Sequence, residues 1–140
     1  MRQHVSTAAA LLAGLAGASA VALGAFGAHA LRGVLDASAL ATWHTGVEYH
    51  FWHALALLVA AACLPEGRAR STAVGLFAVG IVLFSGSLYA LALGAPRVIG
   101  AITPVGGVAF IAGWVAMSVS LRQRDRVNPR DRPPAGPSSV

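Results

Sequence analysis

The sequence contains no lysine, one cysteine (Cys63) and only five acidic residues among 140. A single cysteine forms no internal disulfide and leaves no second thiol for a metal pair. Charged residues make up 11% of the chain, whereas a soluble domain carries about 25%. The sequence also lacks a glycine-rich phosphate loop, a nucleophile elbow and a pair of catalytic carboxylates. These absences argue against a soluble enzyme.

Long apolar runs take the place of the missing charge. Hydrophobic residues form 56% of the chain, and the mean hydropathy is +0.69. A helix needs about 20 residues to cross a hydrocarbon core. Four runs reach that length: Val5–Leu31, Thr45–Leu64, Ser71–Leu93 and Val98–Leu121. The sequence therefore predicts an all-α fold, a bundle of four transmembrane helices that forms one domain over residues 1–121.

The arginines are distributed unevenly between the two sides that this threading defines. Arg32 and Arg97 lie on one side, and the other arginines lie with both termini and the Pro65–Arg70 loop. Because arginine-rich loops stay in the cytoplasm, we expect both termini to be cytoplasmic. Anionic lipid headgroups, rather than nucleic acid, are the expected partner of this basic side.

The two ends of the chain carry further signals. Ala18-Ser19-Ala20 has the form of a signal-peptide cleavage site, but the apolar run continues to Leu31, whereas a signal core has about 7–15 residues. We therefore expect an uncleaved first span in a bacterial cytoplasmic (inner) membrane. Residues 122–140 are rich in arginine, proline and serine, and this composition predicts a disordered cytoplasmic tail.

The segment before the second span predicts a short interfacial helix on the outer side. Asp36 or Ser38 can cap a helix start, and no proline or glycine interrupts Ala37–Thr45. We expect this helix to begin near Ala37, with Trp43 at the level of the lipid headgroups, and to turn inward as the second span.

Small residues indicate where transmembrane helices approach closely. Glycine is the more informative of them, because it costs about 1 kcal/mol relative to alanine in a helix. The candidate packing glycines are Gly17, Gly24, Gly27, Gly86, Gly106, Gly107 and Gly113. Packing within one bundle and a homo-oligomer seam along the first span both fit this pattern.

Polar residues gather in or near the outer third of the predicted membrane, and the cytoplasmic half has no comparable set. The candidate cluster is His29, Glu48, Tyr49, His53, Ser85, Ser87, Tyr89 and Thr103. An ionisable residue at bilayer depth is by default a candidate functional site. Glu48 has three interpretations: an interfacial carboxylate, a partner of His44 or His29, or a site for a proton, an ion or a ligand.

The histidines of the second span do not form a convincing metal site. His50 and His53 lie about 60° apart at about 100° per residue, but Glu48 lies far from both. Zinc needs three or four ligands, so no metal site and no cofactor is predicted. We expect His53 to bond to Tyr89, a nearby serine (Ser85 or Ser87) or a backbone carbonyl, and His44 and His50 to face the interface.

Six blocks of this sequence resemble the YgdD-like family of small four-span bacterial inner-membrane proteins, which has a related animal membrane protein. The blocks are Val21–His29, Thr45–Tyr49, His53–Ala56, Leu83–Leu93, Thr103–Gly107 and Ala112–Trp114. The resemblance implies a four-helix membrane protein of unknown function, with no established substrate or cofactor. The family pattern carries over to His29, Glu48, Tyr49, His53, Ser85, Gly86, Ser87, Tyr89, Thr103, Pro104, Gly106 and Gly107.

Three functions remain open at this point. The first is a non-enzymatic structural or assembly factor that packs against a larger membrane complex or organises lipid. The second is a minimal oligomeric carrier of ions, protons or small solutes, with Glu48 at its outward-facing site. The third is a membrane protein that binds a metal or cofactor through His29 and His53.

Overall fold

A computed structural model describes residues 6–127, and this part of the chain is built from helices. The helices are α1 (Thr7–His29), α2 (Ala37–Cys63), α3 (Arg68–Gly80), α4 (Gly86–Ala92) and α5 (Thr103–Val127). A π-helical segment, Ile81–Ser85, joins α3 to α4, and a 3₁₀-helix, Arg97–Ala101, precedes α5. These elements therefore form four long helical segments.

The predicted set of four long apolar helices is confirmed. Thr7–His29, Ala37–Cys63, Arg68–Ala92 and Arg97–Arg122 are each long and apolar enough to cross a membrane. The shortest of them has 23 residues, about 35 Å at 1.5 Å per residue, against a hydrocarbon core of about 30 Å.

Local chemistry sets where the helices begin and turn. The Ser6 hydroxyl caps α1 by accepting from the Ala9 N–H, and the Asp36 carboxylate caps α2 by accepting from the Ala39 N–H at 2.8 Å. Such caps satisfy N–H groups that have no partner inside the helix. Gly94 has a φ of 91°, a left-handed conformation that glycine adopts without strain, and it turns the chain after α4.

The predicted short interfacial helix is not a separate element. It forms the first turns of α2, which runs unbroken from Ala37 to Cys63, because no proline interrupts it. Trp43 packs inside the bundle, and its side chain is 2% exposed. Its predicted depth at the level of the lipid headgroups stays a prediction.

The last helix extends beyond the predicted start of the tail. α5 continues to Val127, whereas the composition placed the disordered segment from residue 122. No proline lies between Leu121 and Pro129, so no proline in residues 122–127 prevents helical geometry. The rest of the predicted tail, residues 128–140, lies outside the described residues.

The helices pack in the order α1, α2, α3/α4, α5. α1 packs mainly on α2, and α2 packs on α3, the π-helical segment and α4. α5 packs chiefly on α3 and the π-helical segment. The two ends of the bundle are named after one residue at each. The His29 end carries residues 30–36 and 93–102, and the Ser6 end carries the start of α1 and residues 64–67.

Phenylalanines of one helix lie against glycines of the next along the α3/α5 contact. The pairs alternate in direction down the two antiparallel helices: the Phe84 backbone on Gly106, the Phe110 ring on Gly80, and the Phe77 ring on Gly113. At Gly113 an added Cβ would stand 2.8 Å from a Phe77 ring carbon, and at Gly106 it would overlap the Phe84 backbone. These glycines let the helices approach closely enough for van der Waals packing, which drives association in lipid.

The same pairing joins the other helices. A Cβ at Gly27 would lie 2.5 Å from the Trp43 ring, and one at Gly46 would lie 2.8 Å from the Tyr89 ring. α1 therefore packs on α2, and α2 packs on α4, because in each pair an aromatic ring lies directly against a glycine.

The predicted packing glycines divide into two groups. Gly24, Gly27, Gly106 and Gly113 face close neighbours, and Gly107 has only ordinary contact with Phe84 at 3.8 Å. Gly17 and Gly86 face open space, with nothing within 4 Å of an added Cβ, because they lie off the contact lines. Gly46 and Gly80, which the sequence analysis did not select, are close-contact positions.

We expect Gly106→Ala to lower the free energy of unfolding by about 1–3 kcal/mol, because the new methyl group meets backbone that cannot rotate away. Gly86→Ala, in the same bundle, is the matched control and should be neutral or stabilising by up to about 1 kcal/mol. Unfolding in mixed detergent micelles measures both. Equal stability of the two variants would contradict the close approach at Gly106.

Candidate functional site

One group of polar side chains links three helices in the middle of the bundle. The His50 ring lies between Ser19 of α1, 3.3 Å from Nε2, and the Tyr89 hydroxyl of α4, 3.2 Å from Nδ1. The expectation that His50 faces the interface is wrong, because the side chain is 5% exposed. It lies on the inner face of α2, one helical turn from Gly46, and bridges α1 and α4.

The two ring nitrogens of His50 take opposite roles in this group. A neutral imidazole has one N–H donor and one acceptor nitrogen, so one nitrogen donates to one of the two hydroxyl partners and the other nitrogen accepts. The Ser19 hydroxyl also lies 2.8 Å from the Leu15 carbonyl oxygen, to which it can donate. Both ring nitrogens of His50 are therefore engaged.

A second group surrounds His53. Its Nδ1 donates to the Tyr49 carbonyl oxygen at 2.7 Å, and its Nε2 accepts from the Trp114 Nε1–H at 3.4 Å. The ring stacks on Phe110, with centroids 3.4 Å apart and an interplanar angle of 10°. Of the partners expected for His53, the structure shows the backbone carbonyl. The ring connects α2 to α5 through the stack and the indole.

Two further hydrogen bonds cross between helices. The Ser87 hydroxyl donates to the Phe84 carbonyl oxygen at 2.8 Å and accepts from the Thr103 hydroxyl at 2.7 Å, which ties α4 to the start of α5. The Trp43 Nε1–H donates to the Leu23 carbonyl oxygen at 3.0 Å, which ties α2 to α1.

Ser85 ends the π-helical segment, and its hydroxyl has no hydrogen-bond partner among residues 6–127. Its hydroxyl is fully buried. A π-helical turn inside a helix is often found at functional positions. Here the turn accompanies the close approach of Phe84 to Gly106, so its visible effect is on packing.

The structure brings together only part of the predicted polar cluster. His53, Ser87, Tyr89 and Thr103 take part in contacts between helices, together with the Tyr49 backbone. His29 and Glu48 are exposed and stand apart from these contacts. The proposed pairing of Glu48 with His44 or His29 does not occur among residues 6–127.

Sequence reasoning missed four participants: Ser19, Trp43, His50 and Trp114. A signal was available for two of them. Trp43, Gly46, His50, His53, Leu57, Ala60 and Leu64 recur at alternating steps of three and four residues, and all of them are buried. This spacing is one face of a helix. Ser19 and Trp114 carry no such signal, because each lies on a helix with several equivalent small or apolar faces.

A groove lies between α2 and α5 on the outside of the bundle. It has a volume of about 570 Å³ and is lined by Glu48, Tyr49, Trp52, His53, Leu55, Ala56, Val59, Trp114 and Met117. Within residues 6–127, no three side chains of the histidine, cysteine, aspartate or glutamate type are grouped to hold a metal ion.

Comparison with known proteins identifies relatives over most of the chain. Residues 23–107 match the family model described as protein of unknown function (DUF423). The UPF0382 membrane protein YwdK of Bacillus subtilis is 51% identical over 104 residues, which are 72% of this chain and 85% of the relative. A UPF0382 membrane protein of Haemophilus influenzae is 45% identical over 108 residues, or 76% and 87% of the two chains.

The UPF0382 inner membrane protein YgdD of Escherichia coli is 43% identical over 115 residues, which are 78% of this chain and 85% of the relative. No solved structure matches. The family match covers more than half of the chain, and the relatives share the name UPF0382 and the description as membrane proteins. The chain belongs to the UPF0382 (DUF423) family of membrane proteins, whose function is unknown.

Proposed function

We propose that this protein is a non-enzymatic structural factor of the bacterial inner membrane, which packs against other membrane components or organises the lipid around it. One observation carries the proposal. The buried side chains of His50, His53 and Ser87 form hydrogen bonds across helices, so they help to hold the fold together and are not left open for chemistry.

The two buried histidines make the argument specific. His50 uses both ring nitrogens between Ser19 and Tyr89, and His53 uses both between Tyr49 and Trp114. A metal ligand or a proton carrier needs a ring nitrogen free to accept the ion or the proton. Hydrogen bonds of this kind between transmembrane helices each contribute about 0.6 kcal/mol, up to about 1.7.

The outer surface supports the same proposal. α1 packs on one side only, and its opposite face presents Leu11, Leu15 and Val21, which are 62–69% exposed. Such a face is suited to lipid tails or to an apolar helix of a partner. The inner-membrane location follows from the name of the Escherichia coli relative.

A carrier function is the second candidate, because of Glu48. This carboxylate belongs to α2 but lies outside the interior hydrogen bonds. Like His29, it is an ionisable group that the interior contacts do not use, so it can act on something beyond the bundle.

We also propose that the Ser6 end faces the cytoplasm. Arg68 and Arg70 lie at this end, and the sequence adds Arg2 before Ser6 and five arginines after Leu121, whereas the His29 end has Arg32 and Arg97. The positive-inside rule favours this orientation, and it places the arginines beside anionic headgroups.

Removing the Tyr89 hydroxyl tests the structural role. We expect Tyr89→Phe to lower the free energy of unfolding by about 0.5–1.5 kcal/mol, because His50 loses a partner while the ring still covers Gly46. Tyr49→Phe is the matched control and should have no effect, since the Tyr49 hydroxyl has no hydrogen bond within residues 6–127. Mixed-micelle unfolding gives both values. Stability unchanged by Tyr89→Phe would remove the support for the proposal.

Cysteine labelling tests the orientation. In a Cys63→Ser background, Val34→Cys at the His29 end and Glu66→Cys at the Ser6 end are both exposed loop positions. A membrane-impermeant maleimide should label Val34→Cys in intact spheroplasts and Glu66→Cys only after lysis. The reverse pattern would invert the proposed topology.

A further inference from the structure

Glu48 lies inside the hydrocarbon whichever way α2 is placed in a bilayer. α2 has 27 residues, about 40 Å, and Glu48 stands about 16 Å from its start. A core of about 30 Å covers this position even if it is moved to either end of the helix. Trp52, one turn further along, also lies within the core in either placement.

The side chains of Glu48 and Trp52 point away from the bundle. The Trp52 side chain is 60% exposed, and Glu48 is exposed as well. Among residues 6–127, neither the carboxylate nor the indole N–H has a hydrogen-bond or ion-pair partner. A carboxylate in hydrocarbon is costly unless something compensates its charge, and intramembrane acids normally face the protein interior.

Within residues 6–127, no arginine compensates this charge from the helices that form the groove. None lies in α2 or between Thr103 and Leu121 of α5. The described groove therefore has no arginine of its own to pair with the carboxylate.

The groove beside Glu48 has the chemistry of a cation site. Its volume, about 570 Å³, is within the range of about 300–1,000 Å³ typical of small-ligand sites. Tyr49, Trp52 and Trp114 supply aromatic faces, and Val59 and Met117 supply an apolar floor. Aromatic faces attract cations, most strongly where water is excluded, and the carboxylate provides a counter-charge.

We propose that this groove binds an apolar organic cation, such as an ammonium group that carries a hydrocarbon chain. Glu48 is its counter-ion, and the face of the Trp52 indole packs against the ammonium group. Inorganic cations are disfavoured because the site offers one carboxylate and no further oxygen cage. A ligand of this class reaches the groove from the hydrocarbon, since the groove opens to the outside of the bundle.

The inference concerns binding only. It rests on the same glutamate as the carrier candidate but requires no transport. It is independent of the structural role, because neither the Glu48 nor the Trp52 side chain joins two helices.

Binding is measured on the full chain in phosphatidylcholine nanodiscs, with dodecyltrimethylammonium as probe and dodecanol as its neutral counterpart. Empty nanodiscs give the partition into lipid, and tryptophan fluorescence with calorimetry gives the excess due to protein. We expect the protein to bind the cation at least tenfold more tightly than the alcohol. Glu48→Gln should abolish this preference, and Trp52→Leu should reduce it severalfold.

The control variant is Glu66→Gln, which removes an exposed acid from the loop at the Ser6 end and should leave the preference unchanged. Glu48→Gln should also unfold at the same denaturant concentration as wild type, since Glu48 bonds to nothing in the fold. Equal binding of the two probes by wild type, or equal loss of preference in Glu66→Gln, would overturn the proposal.

The main alternative is that a second copy of the chain fills the groove. The molecular mass of the protein in the nanodisc distinguishes this alternative from the binding of a cation. If wild type is a dimer that Glu48→Gln converts to a monomer, and wild type shows no cation preference, the groove belongs to a second copy of the chain and the proposal is wrong. A cation preference that disappears in Glu48→Gln without a change of oligomeric state supports it.

Discussion

The seating of aromatic rings over glycines is the constraint on which the rest of this structure depends. Between α3 and α5 the rings alternate sides, so each helix supplies both rings and gaps. This reciprocity fixes the register of the two helices, because a slip of one turn would place ring against ring. In lipid, where apolar burial gives no preference for protein over solvent, close packing of this kind must hold the helices together.

The interior hydrogen bonds depend on that register. His53 meets Phe110 and Trp114 only because Phe110 is held over Gly80. Tyr89 reaches His50 because its ring lies on Gly46. The packing thus sets which polar groups meet. These contacts in turn stabilise the observed arrangement, because any other would leave a ring nitrogen or a hydroxyl without a partner in a medium that has no water.

Length and hydropathy were sufficient to predict four apolar helices, because the requirement to span hydrocarbon is local to each helix. The partners of His50 and the role of Trp43 were not predictable in this way. They depend on how α1, α2 and α4 are rotated about their axes, and the apolar faces of α1 are too alike to reveal that rotation. The buried stripe from Trp43 to Leu64 did contain the information for α2. It was overlooked because Trp43 and His50 are residue types that also suit a membrane interface.

The π-helical segment Ile81–Ser85 links the length of its span to the side chains that follow it. A π turn holds one residue more than an α turn in the same space, and each residue of an α-helix contributes about 100° of rotation. Deleting one residue here would restore regular α geometry and keep Ser87 and Tyr89 facing Thr103 and His50. A single-residue deletion in the regular α-helix before this segment would instead rotate one part of the span against the other by about 100°, so the π-helical segment is where this span can change its length and keep its contacts.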